Sequence, residues 1–86
     1  MKIELHRNFL KVYIKQPKKI QDKFKEKRNL FLQDQFHPLL NNHILSGKYC
    51  GCRSINITGD IRAIFYVKTD GSVVFVNIGS HSELYE

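Results

Sequence analysis

The sequence predicts an α+β fold in which two basic helices lie on one face of a mainly antiparallel sheet. Three observations lead there. Apolar residues in the first third recur at helical spacing, while residues 48–78 are rich in β-branched and aromatic side chains. Asp70-Gly71 then separates two such β-rich runs, a strong hairpin signal. At 86 residues, the chain buries only about 60–65% of its unfolded surface, enough for one core. A single domain over 1–86 is expected.

The elements follow in order. Residues 2–6, "KIELH", alternate polar and apolar and predict a short strand. In "NFLKVYI", Phe9, Leu10, Tyr13 and Ile14 form one helical stripe. Pro17 interrupts it at a position suited to the first turn of a second helix. That helix carries Ile20, Phe24, Phe31 and Gln35 along one line, widened by Leu30 and Leu32, and its opposite face is charged. It should stop near Phe36, because Pro38 disfavours helical geometry at His37. "HPLLNNHILSG" then reads as a connector. After Gly47, "KYCGCRSINI", the turn-like "TGD", "IRAIFYVK", "TDGS" and "VVFVNI" predict a three-stranded meander, which the amino-terminal strand joins.

No apolar run approaches the roughly 20 residues that span a bilayer, and "MKIELHRNF" has no signal-peptide hydrophobic segment. A cytoplasmic protein is expected. Cys50 and Cys52 fall on the strand read from "KYCGCRSINI". There both would point to one face, where a mutual disulfide is strained, and no further ligands are spaced for a tetrahedral metal. They are expected to be reduced thiols.

The charge is uneven. Residues 1–28 hold ten Lys or Arg against Glu4, Asp22 and Glu26, a balance of 10 − 3 = +7, whereas the remainder holds four against five, or −1. A basic helical surface suits a polyanion, either nucleic acid or an acidic protein, and equally suits a solvated helix face.

No Gly-rich phosphate loop, His-Glu-x-x-His pair or nucleophile elbow is present. The polar residues near strand ends are His43, Arg53, Asn56, Asp60, Arg62, His81 and Tyr85. With a two-residue turn at Thr58-Gly59, Arg62 faces Ile55 and lies diagonal to Arg53 on one side of the sheet. A three-residue turn instead places Arg62 opposite Asn56. Two guanidiniums on one surface suit a phosphate, or are simply solvated. An imidazole can both give and take a proton, which makes His81 a candidate, although a terminal "SHS" also suits a plain loop. Tyr85 would serve equally as an apolar plug.

Taken in order, "NNHILSG", "GDIRAIFY" and "IGSHSELY" resemble the RelE superfamily of bacterial type II toxins, and within it the RelE/StbE and YafQ-like branch. The resemblance covers nearly the whole chain. It implies a ribosome-dependent messenger-RNA endonuclease, without metal or cofactor, restrained by a cognate antitoxin. It implies catalytic roles for His43, Asp60 and His81, a scissile-phosphate contact for Arg62, and base stacking or orientation of His81 for Tyr85. Arg53 would help to hold the phosphate. Asn56 stands where YafQ-like enzymes carry a second histidine, and asparagine binds a phosphate or base without shuttling protons. The implied chemistry is attack of the RNA 2′-hydroxyl on its own 3′-phosphate, giving a 2′,3′-cyclic phosphate. ParE-like relatives that inhibit DNA gyrase without cleaving RNA, or a decayed toxin retaining only antitoxin binding, are the alternative readings.

Overall fold

The computed structural model describes residues 1–85. Its elements are β1 (Ile3–Leu5), α1 (Arg7–Tyr13), α2 (Lys18–Gln33), β2 (His43–Ile44), β3 (Arg53–Asn56), β4 (Ile61–Val67), β5 (Val73–Ser80) and α3 (His81–Tyr85), with 3-10 turns at Pro38–Leu40 and Gly47–Tyr49. The five strands form one sheet in the order β1-β5-β4-β3-β2. As expected, β3, β4 and β5 make an antiparallel meander, and β1 joins it parallel to β5.

The helical hairpin covers one sheet face. Phe9 from α1, and Phe24 and Phe31 from α2, meet Phe65 and Phe75 in a cluster of aromatic rings. Leu40, Ile55, Ile57, Ala63, Val73 and Ile78 complete that core. The α1 stripe differs from the expected one: Phe9, Val12 and Tyr13 face the core, whereas Leu10 and Ile14 are exposed. Tyr13 instead closes the joint, donating its hydroxyl to the Gln21 carbonyl across Pro17.

Three further expectations need correction. α2 ends at Gln33, because Asp34 is extended at the cap and its carboxylate accepts from the Phe36 backbone N–H. That local bond competes with another helical turn before Pro38 can act. The connector contains a short strand, β2, paired with β3. Cys50 and Cys52 do not lie on a strand: Gly51, at φ +91°, turns the chain between them, and β3 begins only at Arg53. Both thiols are free, with Cys50 exposed.

The β3–β4 connection decides which residues share a face. Asn56 pairs with Arg62 and Arg53 with Phe65, so Thr58, Gly59 and Asp60 form a three-residue turn. The Thr58 hydroxyl holds it by accepting from the backbone N–H groups of Asp60 and Ile61. Side chains alternate along a strand and partners across strands share a face. The helix-covered face therefore takes Ile44, Arg53 and Phe65. The opposite face takes two rows, His43–Ser54–Ile64–Asn77 and Asn56–Arg62–Gly79.

Candidate active site

Arg53 and Arg62 stand on opposite faces of the sheet, so the pairing expected from a two-residue turn does not occur. Arg53 packs beneath the connector: its Nε donates to Asn42 Oδ1 at 2.8 Å, and its guanidinium lies 5.5 Å from the Phe36 ring centre. Asn42 in turn donates to the Gln35 carbonyl. These contacts tie the 35–42 segment to β3.

Arg62 lies on the face away from the helical hairpin. Its Nη1 donates to the carbonyl oxygens of Thr58 and Gly59, each at 3.1 Å. That anchors one arm of the fork on the turn and leaves Nε and Nη2 without a partner among the described residues. Asn56, its cross-strand neighbour, has a buried side-chain oxygen with no hydrogen-bond partner among the described residues. Asp60 is exposed at the tip of the same turn.

The second histidine-bearing segment comes over this face. Gly79 pairs with Arg62, so its Cβ position, filled by a hydrogen, points to Arg62's side of the sheet. A Cβ there would meet Glu83 Oε1 at 3.3 Å and Leu84 Cδ2 at 3.7 Å. α3 thus lies on the Arg62 face, and glycine permits its close approach. The ending is not the plain loop that "SHS" suits: the chain turns into a helix at His81. Ser80 and Glu83 form a reciprocal cap: the Ser80 N–H donates to Glu83 Oε1 at 2.8 Å, and the Glu83 N–H donates to Ser80 Oγ at 3.2 Å. His81 is exposed, and its ring centre is 4.8 Å from that of Tyr85.

The cap has a pH signature. The Ser80 N–H, followed by its hydroxyl, favours the ionised Glu83 and holds its pKa below the ordinary 4.5. A depressed carboxylate contributes stability above its unfolded pKa and loses it as pH falls through the folded value. The Ser80 amide resonance is therefore expected to follow Glu83 with a midpoint below 4.5. A midpoint at or above that value in an NMR titration would show that the cap is absent.

Of the four histidines, two serve structure. His6 Nδ1 accepts from the Asn8 N–H, and His37 Nδ1 accepts from the Leu39 N–H, each at the start of a helical segment. His43 is different. Its Nδ1 lies 2.7 Å from the Asn41 carbonyl, which only accepts, so Nδ1 carries the proton and Nε2 keeps the lone pair of the neutral ring. His43 is exposed on the same face as Arg62, in the neighbouring row. Among the described residues, no group of three His, Cys, Asp or Glu side chains clusters as metal ligands.

Two residues of this face escaped the sequence analysis. Tyr49 follows β2 in the second 3-10 turn, and its hydroxyl accepts from Asn77 Nδ2 at 3.2 Å. Its ring meets Tyr85 edge-on, with centres 5.6 Å apart. Asn77 had left a signal, since it is the one polar residue inside "VVFVNI".

This arrangement of strands and helices is the fold of solved YafQ and of the matched chain of the RelBE2 toxin–antitoxin complex from Mycobacterium tuberculosis. The sequence matches over residues 1–86 the family described as "Bacterial toxin of type II toxin-antitoxin system, YafQ". The chain belongs to the YafQ toxin family. YafQ from Escherichia coli BL21(DE3) is 22% identical, with a TM-score of 0.81 over 98% of this chain and 97% of that one. A copper-bound mutant toxin from Helicobacter pylori is 25% identical, with a TM-score of 0.72 and 99% of each chain covered. In the E. coli DinJ-YafQ toxin–antitoxin complex, the matched chain is 23% identical, with a TM-score of 0.78 over 98% of this chain and 96% of that one. A comparison with curated proteins finds no match. No helix among the described residues is long and apolar enough to cross a membrane.

Proposed function

We propose that this toxin is a ribosome-dependent mRNA endonuclease that cleaves without metal or cofactor. The reading rests above all on the pairing of Gly79 with Arg62, which brings α3 and His81 over the face that carries Arg62, Asn56 and His43. RNA cleavage by its own 2′-hydroxyl needs a base, an acid and a cation at the phosphate. His43 Nε2, or alternatively the Asp60 carboxylate, takes the 2′ proton as O2′ bonds to phosphorus. His81 gives a proton to the departing O5′ as the P–O5′ bond breaks. The products are a 2′,3′-cyclic phosphate and a 5′-hydroxyl.

Arg62 holds the phosphate through Nε and Nη2, a fork suited to two phosphate oxygens. Arg53 does not share that task, since its guanidinium is held between Asn42 and Phe36 on the far face. Asn56 offers hydrogen bonds to the nucleotide and no proton. Tyr85 orients the His81 ring. The lysines of α1 and α2 give a salt-sensitive attraction to the ribosome, whose RNA is a polyanion. A cognate antitoxin restrains the toxin, as DinJ accompanies YafQ in the E. coli complex.

Induction of the full chain in bacteria, with and without Arg62→Ala, tests this reading. Wild type is expected to arrest growth and to leave cuts within codons, detected by primer extension, and the Arg62 variant is expected to leave transcripts whole. Growth arrest with intact transcripts and altered DNA supercoiling would instead identify gyrase as the target.

A further inference from the structure

α3 is too short to hold itself. At five residues, it is far below the roughly 12–15 at which an isolated helix becomes even marginal in water. Its position must come from what it touches. The Ser80–Glu83 cap fixes its start and the buried Leu84 its underside, but neither sets the ring of Tyr85, which is 39% exposed. Tyr85 is steered from elsewhere. The Tyr49 ring abuts it edge-on at 90°, and the Tyr49 hydroxyl is fixed by Asn77 Nδ2. Asn77 is itself set in the sheet: it pairs with Ile64, and its Oδ1 accepts from the Ile78 N–H at 2.9 Å. Beside Tyr49, Lys48 Nζ donates to the Leu84 carbonyl at 3.3 Å and lies 5.4 Å from the Tyr49 ring centre.

These contacts form a line running from the sheet to the exposed imidazole: Asn77, Tyr49, Tyr85, His81. The line also joins the two segments that carry the histidines, because Tyr49 lies six residues beyond His43, in the turn that follows β2. We infer that Tyr49 and Asn77 are positioning residues, a brace on the sheet that sets Tyr85 and through it the orientation of the His81 ring. This inference rests on the endonuclease reading for its effect on turnover, and on geometry alone for its effect on His81.

The test uses the full-length chain and two readouts. One is the His81 Hε1–Cε1 NMR resonance, which the adjacent Tyr85 ring, tilted by 38° at 4.8 Å, shifts. The other is kcat and KM for cleavage of mRNA on programmed ribosomes. Tyr49→Leu removes the edge contact. It is expected to move and broaden the His81 resonance and to lower kcat by about 10- to 100-fold, as for a misplaced catalytic group, with KM nearly unchanged. Tyr49→Phe keeps the ring and loses only the bond from Asn77. Tyr49→Phe is expected to give a few-fold loss, and the double variant with Asn77→Ala to lose no more than Asn77→Ala alone, because both changes remove the one shared interaction while the Ile78 bond is lost only with Asn77.

An unmoved His81 resonance in Tyr49→Leu would overturn the inference, as would a raised KM with unchanged kcat. Should Tyr49→Leu fail to fold, as judged by its amide spectrum, additive losses in Tyr49→Phe and Asn77→Ala would overturn it equally. If the wild type cleaves no mRNA, the endonuclease reading falls, and the His81 resonance still decides whether the brace exists.

Discussion

Replacing His81 with alanine is expected to lower mRNA cleavage by about 10²–10⁴-fold, the usual contribution of a positioned proton-transfer group. The same change should leave the fold intact. His81 is exposed, and among the described residues its ring contact is with Tyr85. The helix it opens is capped by Ser80 and Glu83 rather than by the imidazole. That separates His81 from His6 and His37, whose rings satisfy backbone donors at helix starts. Single-turnover cleavage beside a thermal unfolding curve distinguishes the two effects. Full activity in the alanine variant would remove His81 from the mechanism, and a large loss of stability would recast it as structural.

The second large effect is on stability. Phe75→Ala is expected to destabilise the fold by about 3–5 kcal/mol, the range for large-to-small changes at buried aromatics. Phe75 is fully buried on β5, where its ring centre lies 5.3 Å from those of Phe24 and Phe65, 5.8 Å from Phe9 and 6.1 Å from Phe31. It therefore joins both helices to the sheet. Small domains hold roughly 5–15 kcal/mol in total, so the variant should be largely unfolded at modest urea. An unfolding midpoint close to wild type would mean that the aromatic cluster does not carry the core.

The helical hairpin and the meander were legible because their signals are local. Phe24 and Phe31 declare one side of α2 by spacing alone, and Asp70-Gly71 declares a turn by its chemistry. The end of α2 was misplaced by three residues because a side-chain bond, from the Phe36 N–H to Asp34, stops the helix ahead of the proline effect. The start of α3 had a local signal too. "SHSE", residues 80–83, fits the Ser-x-x-Glu capping pattern, yet it equally suits a loop after a strand.

The candidate site was legible as a list of residues and not as an arrangement. Resemblance selected His43, Asp60, Arg62 and His81, but whether two side chains share a face depends on a single residue of turn length. With two residues in the β3–β4 turn, Arg53 and Arg62 would flank one surface. With three, fixed by the Thr58 hydroxyl, they part to opposite faces, and Arg62 stands beside Asn56.

By itself, the sequence determined the fold class, the basic helical face and the family to which the chain belongs, since periodicity, charge and motif are properties of neighbouring residues. Only the tertiary structure decided which arginine faces α3 and that the Tyr49 ring meets Tyr85. Those outcomes depend on strand register and on contacts between residues dozens of positions apart, and the parity of one turn is enough to reverse them.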